Sequence, residues 1–193
     1  MFLSQPGEIF SLNRTGWLFE PKLDGFRAIA EIENGQVIIY SRGQNVLSYP
    51  SIAAELQKIN DPMILDGEIV MLDDQGKPDR PALLRYSPRY YNPNNPPQLF
   101  YYVFDLLYVA GRDIRTLPLE TRKLLLAQTI PNLTNIHPCL YYMEDGTSLA
   151  EVALAWQLEG IVAKKTDSLY FSGKRSRDWV KIKYNPSQQL QSS

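Results

Sequence analysis

Apolar and polar positions alternate in short stretches broken by Gly, Pro and Asn, a pattern of strands and turns with a few short helices. From Trp17 to Ser41, two runs rich in β-branched and aromatic residues flank Asn34-Gly35, the dipeptide a tight type I′ turn prefers, and this predicts a hairpin. Pro50 suits a first helical turn, and Ile52, Ala53, Leu56 and Ile59 then fall on one helical face, so a short helix follows. Met63 to Leu72 reads as a strand closed by the turn Asp73-Asp74-Gln75-Gly76, and Leu99 to Leu107 as another. Between them, Tyr91 to Gln98 holds three prolines and three asparagines and predicts an exposed loop without ladder partners. Helical spacing returns over Pro118 to Gln128 and over Ser148 to Leu158, the second with Ser148 as N-cap and Glu151 three residues on. Ile161 to Lys165 and Trp179 to Tyr184 alternate again as strands, and the tail from Asn185 is expected to fray.

Strands and helices come in mixed order without a regular βαβ rhythm, which predicts an α+β fold of largely antiparallel sheets. Composition narrows this little. A chain of 193 residues with 44% apolar side chains is expected to form one domain, burying roughly 70% of the surface its unfolded form exposes. Charge is more informative: 20 Lys and Arg against 21 Asp and Glu leave a net −1, so any site for a polyanion must be a local patch. The single cysteine, Cys139, has no partner for an intrachain disulfide and points to a reducing compartment. No apolar run approaches the roughly 18 residues of a membrane span, and the first ten residues lack a basic region followed by an apolar core. A cytoplasmic protein without a membrane partner is the expectation.

Four places put ionisable residues at or near predicted strands, where a rigid sheet can aim several into one groove. They are Glu20-Pro-Lys22-Leu-Asp24-Gly25-Phe-Arg27, Asp66-Gly67-Glu68, Glu159-Gly160, and Lys181-Ile-Lys183. Lys181 and Lys183 are two apart in a strand and so point to the same face. Each piece alone is an ordinary surface feature, since D-G is a common turn and K-I-K an exposed edge. A Glu68 set among Ile64, Leu65, Ile69 and Val70 is harder to explain so, because a carboxylate there needs a metal ion or a cationic partner. Other chemistry is excluded by its missing motifs. No phosphate loop and no G-x-G-x-x-G opening a helix is present, and one His137 with one Cys139 cannot make a four-ligand zinc site.

Taken in order, these pieces resemble the covalent nucleotidyltransferases, the family of ATP-dependent DNA ligases, RNA ligases and messenger RNA capping enzymes. Lys22 to Arg27 matches K-x-D-G-x-R; Ser41-Arg42-Gly43 is similar to the S-R-x-G element; Asp66-Gly67-Glu68 to D-G-E; Val103-Phe104-Asp105 to the aromatic-Asp element; Glu159 to Lys164 to E-G-x-V-x-K; and Trp179 to Lys183 to the closing lysine motif. Six ordered motifs span about 165 residues, and the intervening text looks most like ATP-dependent DNA ligases, particularly the ligase domains of bacterial end-joining enzymes. The resemblance implies a nucleotidyltransferase (ATP-grasp-like) adenylation domain over residues 1–185, antiparallel sheets flanked by helices, with a flexible tail over 186–193.

It also implies roles. Lys22 would attack the α-phosphate of ATP to give lysyl-AMP, which needs a neutral amine although free lysine titrates at about 10.4. Lys181, Lys183 and a divalent metal would favour that neutral form and offset the charge on pyrophosphate. Glu68 and Glu159 would hold Mg²⁺; Arg27 suits bidentate phosphate contact, and Arg42 the sugar or the 5′-phosphate of a nick. Phe104 would stack on adenine, with Glu20 at the adenine and ribose edges. The substrate implied is nicked double-stranded DNA, in DNA repair or recombination. Family members that act alone usually continue into an OB-fold domain, and this chain stops ten residues after Lys183. A partner supplying the OB fold or the end-joining context is therefore expected, and two other readings stay open: an RNA ligase, or a non-catalytic module holding AMP or DNA ends. Residues 159–183 hold seven Lys or Arg against three acidic residues, a local +4 that could contact phosphates.

Overall fold

The computed structural model describes residues 3–5, 8–9, 11–92, 94–174 and 176–183. In chain order its strands are β1 (Leu3–Gln5), β2 (Glu8–Ile9), β3 (Trp17–Lys22), β4 (Phe26–Glu33), β5 (Gln36–Ser41) and β6 (Val46–Leu47). There follow β7 (Met63–Met71), β8 (Leu99–Val109), β9 (Arg112–Asp113), β10 (Ile136–Pro138), β11 (Tyr142–Met143), β12 (Gly160–Lys165) and β13 (Trp179–Lys183). The helices are α1 (Pro50–Leu56), α2 (Arg80–Arg85), α3 (Leu119–Thr129) and α4 (Gly146–Ala155), with a 3₁₀ turn at Pro88–Tyr90. Tyr184 and the tail expected to fray lie outside the described residues.

The chain divides into two compact units, one of residues 1–23 with 140–193 and one of residues 24–139. The boundary falls inside the first predicted run. The pattern predicts Trp17 to Glu33 as one arm of the hairpin, yet the chain breaks at Leu23-Asp24-Gly25, and β3 and β4 lie in different sheets. Glycine is required at that corner, because a Cβ on Gly25 would lie 2.1 Å from the Ile69 carbonyl oxygen. The hairpin itself is β4–β5, and Asn34 and Gly35 take φ of 50° and 75°, as a type I′ turn requires.

In the first unit, six strands in the order β11-β3-β12-β13-β1-β2 form an antiparallel sheet. Trp17 and Phe19 of β3, Ile161 and Ala163 of β12 and Ile182 of β13 pack on one face against Leu149, Ala150 and Ala153 of α4. The cap of that helix lies three residues before the expected one. Asp145 is the cap, accepting a hydrogen bond from the Ser148 amide, so Ser148 is the donor inside the first turn.

In the second unit, the sheet order is β10-β8-β7-β4-β5-β6, with β9 beside β8; β10 and β8 run parallel and the other pairs antiparallel. Ala28, Ala30, Leu65, Ile69, Tyr101 and Val103 build its core with Ile52 and Leu56 of α1 and Leu126 of α3. Helix α3 departs from its sequence pattern: Arg122 and Lys123 are buried, whereas Leu124 is exposed. Arg122 is drawn inward by Asp105, itself fully buried on β8. The Asn- and Pro-rich segment after Tyr91 is a largely exposed loop over its described residues, in keeping with its turn chemistry.

Candidate active site

Strand alternation sorts the first unit's sheet into a core face and a chemical face. With Trp17, Phe19, Ile161, Ala163 and Ile182 committed to the core, the opposite face carries three cross-strand rows. Lys22, Gly160 and Lys183 form one row, Glu20, Val162 and Lys181 the next, and Leu18, Lys164 and Trp179 the third. Lys181 and Lys183 are both exposed and share this face, as their spacing predicts.

Glu159 sits beside the first row and bridges its two lysines. Its carboxylate accepts a hydrogen bond from Lys22 Nζ on Oε2 and one from Lys183 Nζ on Oε1 at 2.6 Å. Partial burial pushes the Glu159 carboxyl up, but the hydrogen bonds from Lys183 and Lys22 outweigh it and hold it below the usual range. Gly160 makes the bridge possible. It takes φ of +150°, and a Cβ there would lie 2.1 Å from the Ile182 carbonyl oxygen and 2.9 Å from Lys183 Cα.

Glu20 is 2% exposed, and its carboxylate is engaged with Lys164, Nζ to Oε2 at 2.6 Å. Lys164 also lies 4.0 Å from the centre of the Trp179 ring, whose Nε1 donates to Ser168 Oγ at 3.2 Å. Lys165 pairs with Asp178 at 3.4 Å. The local +4 over residues 159–183 therefore overstates the cations presented to a phosphate backbone, since Lys164, Lys165 and Lys183 are each held by a carboxylate within their own unit.

In the second unit, Arg27 forms a bidentate pair with Asp66, Nε to Oδ1 at 3.0 Å and NH2 to Oδ2 at 2.6 Å, and its guanidinium lies 5.6 Å from the centre of the Phe104 ring. The fork read as phosphate-binding thus holds a buried carboxylate in this structure. Desolvation, expected at Glu68, falls instead on Asp66, which is fully buried. Glu68 is half-buried, in register with Arg27 on β4 and Tyr102 on β8. Gly67 between them admits no side chain, because a Cβ would meet the Tyr101 ring and the Tyr102 carbonyl at 2.5 Å. Phe104 is half-buried on β8, and Arg42 is exposed in the turn after β5. His137 stacks on Phe100 with ring centres 5.9 Å apart, and Cys139 is buried.

The expected site residues are thus divided: Glu20, Lys22, Glu159, Lys181 and Lys183 in the first unit, Arg27, Arg42, Glu68 and Phe104 in the second. Among the described residues no three His, Cys, Asp or Glu gather as a metal cage. Mg²⁺ does not require one, because it commonly takes one or two carboxylates and leaves its other positions to phosphate and water oxygens. Glu159, an ionised carboxylate at a strand edge, fits that use. Arg80 and Lys164 each hold a carboxylate that the sequence did not pair with them. For Arg80 the partner is Asp24, 56 residues away; for Lys164 the motif was visible, but not its burial.

The family model described as ATP dependent DNA ligase domain matches residues 3–183. Over 191 residues the chain is 31% identical to the multifunctional non-homologous end joining DNA repair protein LigD of Mycobacterium tuberculosis, covering 97% of this chain and 24% of that protein. It is 34% identical over 176 residues to the SPbeta prophage-derived DNA ligase-like protein LigB of Bacillus subtilis, covering 88% of this chain and 62% of that one. A solved structure of mycobacterial DNA ligase D complexed with ATP and MES superposes with a TM-score of 0.72 at 30% identity, over 87% of this chain and 54% of that one. The chain spans about a quarter of the LigD protein's length. Among the described residues, no helix is long and apolar enough to cross a membrane.

Proposed function

The chain belongs to the ATP-dependent DNA ligase domain family, and we propose that it takes AMP from ATP onto Lys22 and passes it to the 5′-phosphate of nicked double-stranded DNA. Its α+β nucleotidyltransferase fold of mainly antiparallel sheets is that of the LigD ligase domain. The observation that carries the proposal is the first row of the sheet, where Lys22 and Lys183 converge on Glu159.

In the first step Lys22 Nζ, as the neutral amine, forms a bond to the α-phosphorus while the bond to the pyrophosphate oxygen breaks, and the nitrogen gives up a proton. In the second, an oxygen of the DNA 5′-phosphate attacks the same phosphorus, the Nζ–P bond breaks and the nitrogen takes up a proton, returning the amine. In the third, the 3′-hydroxyl attacks the DNA 5′-phosphorus, loses its proton, and AMP leaves. Lys181 and Lys183 supply fixed positive charge where phosphate charge develops. Glu68 and Glu159 are the carboxylates proposed to hold Mg²⁺, which when bound offsets triphosphate charge. In the second unit Arg27 and Arg42 are proposed as phosphate or sugar contacts and Phe104 as the adenine platform; Glu20 in the first is proposed at the adenine and ribose edges. For Arg27 and Glu20, nucleotide contact has to come from groups that their carboxylate and lysine partners leave available.

LigD is named for non-homologous end joining, and a place for this chain in DNA end repair, beside other end-joining domains, is part of the same proposal. ATP labelled on the α-phosphate, followed by a denaturing gel, tests it. Label retained covalently and lost in Lys22→Ala and Lys22→Arg supports the reading, because a guanidinium stays protonated and cannot attack. A chain that takes no label is a nucleotide- or end-holding module, and label surviving both substitutions moves the nucleophile elsewhere.

A further inference from the structure

Arg80, outside every motif described above, grips the corner that leads out of the nucleophile strand. It is the first residue of α2, whose cap Asp79 accepts from the Ala82 amide. Its NH1 donates to Asp24 Oδ1 at 2.9 Å and to the Gly25 carbonyl oxygen at 2.7 Å, and its guanidinium lies 5.3 Å from the centre of the Phe26 ring. One side chain therefore touches three consecutive residues, Asp24, Gly25 and Phe26. From the other side the corner meets β7, where the Ile69 carbonyl leaves no room for a Cβ on Gly25. Only Leu23 separates this corner from Lys22.

The Arg80 and Asp24 side chains are 38% and 44% exposed, and an ion pair that wet contributes little to stability. A contact with little effect on stability can still matter by fixing geometry, since displacing a reacting group by about 1 Å can cost about 10²-fold in rate. We propose that Arg80 is a positioning residue for the adenylation step: acting through Asp24 and the Gly25 carbonyl, it restrains the backbone two and three residues along the chain from Lys22. The inference rests on the reading of Lys22 as nucleophile. Arg80 itself touches neither ATP nor Lys22 in this proposal, so it acts on the rate of transfer and not on ATP affinity.

The test is single-turnover labelling of the whole chain with α-labelled ATP, comparing wild type, Arg80→Gln, Arg80→Lys, Asp24→Asn and the double variant Asp24→Asn with Arg80→Gln. Arg80→Gln should slow transfer at saturating ATP by about tenfold, the scale of a lost charge-assisted contact, with apparent ATP affinity within about twofold. Arg80→Lys, which keeps a charge and rotatable donors, should recover most of the rate. In the Asp24→Asn background, Arg80→Gln should add less than about twofold, because the two residues act as one unit. An unchanged rate in Arg80→Gln, a loss confined to ATP affinity, a full additional loss in the Asp24→Asn background, or no recovery in Arg80→Lys overturns the proposal. If the wild-type chain takes no label, the functional reading fails separately, and hydrogen exchange then decides the clamp: amides at 24–27 should exchange faster in Arg80→Gln, and unchanged protection overturns it.

Discussion

Asp105 and Arg122 are joined by two charge-assisted hydrogen bonds, Nε to Oδ1 at 2.7 Å and NH2 to Oδ2 at 2.8 Å, and neither side chain is exposed to solvent. Removing one partner strands the other charge in the interior, which costs about 3–5 kcal/mol. Asp105→Ala and Arg122→Met should each lower the unfolding free energy obtained from urea titration by that order, and replacing both by apolar residues should cost less than the two losses added. Additive losses in the double variant would show that the pair acts as two independent residues.

Glu159 links the chemistry to pH. Its carboxyl titrates below the ordinary range in the folded chain, so its contribution to stability is fully present above the unfolded-state value and is lost as pH falls through the folded one. Melting curves of wild type and Glu159→Gln should therefore converge as the medium is acidified below about pH 4.5. The same variant should shift the Mg²⁺ dependence of Lys22 labelling to higher metal concentration while keeping the fold. An unaltered Mg²⁺ requirement counts against Glu159 as a ligand.

At the alkaline end the sensitive pair is Tyr49 and Tyr86, stacked with ring centres 5.4 Å apart. Burial, reinforced by the neighbouring Tyr86, pushes the Tyr49 hydroxyl up to about 12. The folded chain holds that proton longer than the unfolded one, so stability is intact below about pH 10 and declines from there toward about 12, by about 2–3 kcal/mol. Tyr49→Phe should flatten this limb in denaturant titrations; an identical decline in the variant would assign it to other groups.

Gly160→Ala tests the backbone behind the Glu159 bridge. With φ of +150° and the Ile182 carbonyl oxygen 2.1 Å from the added carbon, the substitution should cost about 1–3 kcal/mol and sharply slow labelling of Lys22. Wild-type labelling by Gly160→Ala would mean that the bridge tolerates a shifted strand.

What could be read from the chain was what local chemistry decides. Asn34-Gly35 declares its turn, and Lys181 and Lys183 share a face because strands alternate with a period of two. The six motifs marked the family, since their order and spacing are specific even where each alone is weak. The misplaced N-cap had a visible signal in Asp145, three residues before Ser148, but two cap-competent residues compete there and the structure uses the first. Pairings between distant residues had no local signal. Arg80 meets Asp24 across 56 residues, and Asp105 turns Arg122 inward against the helix's own apolar pattern. Arg27 likewise carries a fork suited to phosphate, and only the structure reveals Asp66 inside it.

Because Lys22, Lys164, Lys181 and Lys183 are carried by the same three strands that bury Phe19, Ile161 and Ile182, chemistry and core are two readings of one alternation. Deleting a single residue within β3, β12 or β13 would turn that strand's lysines inward and its apolar residues outward. The length of these strands can therefore vary only by two residues at a time, and a one-residue frame error would abolish fold and activity together.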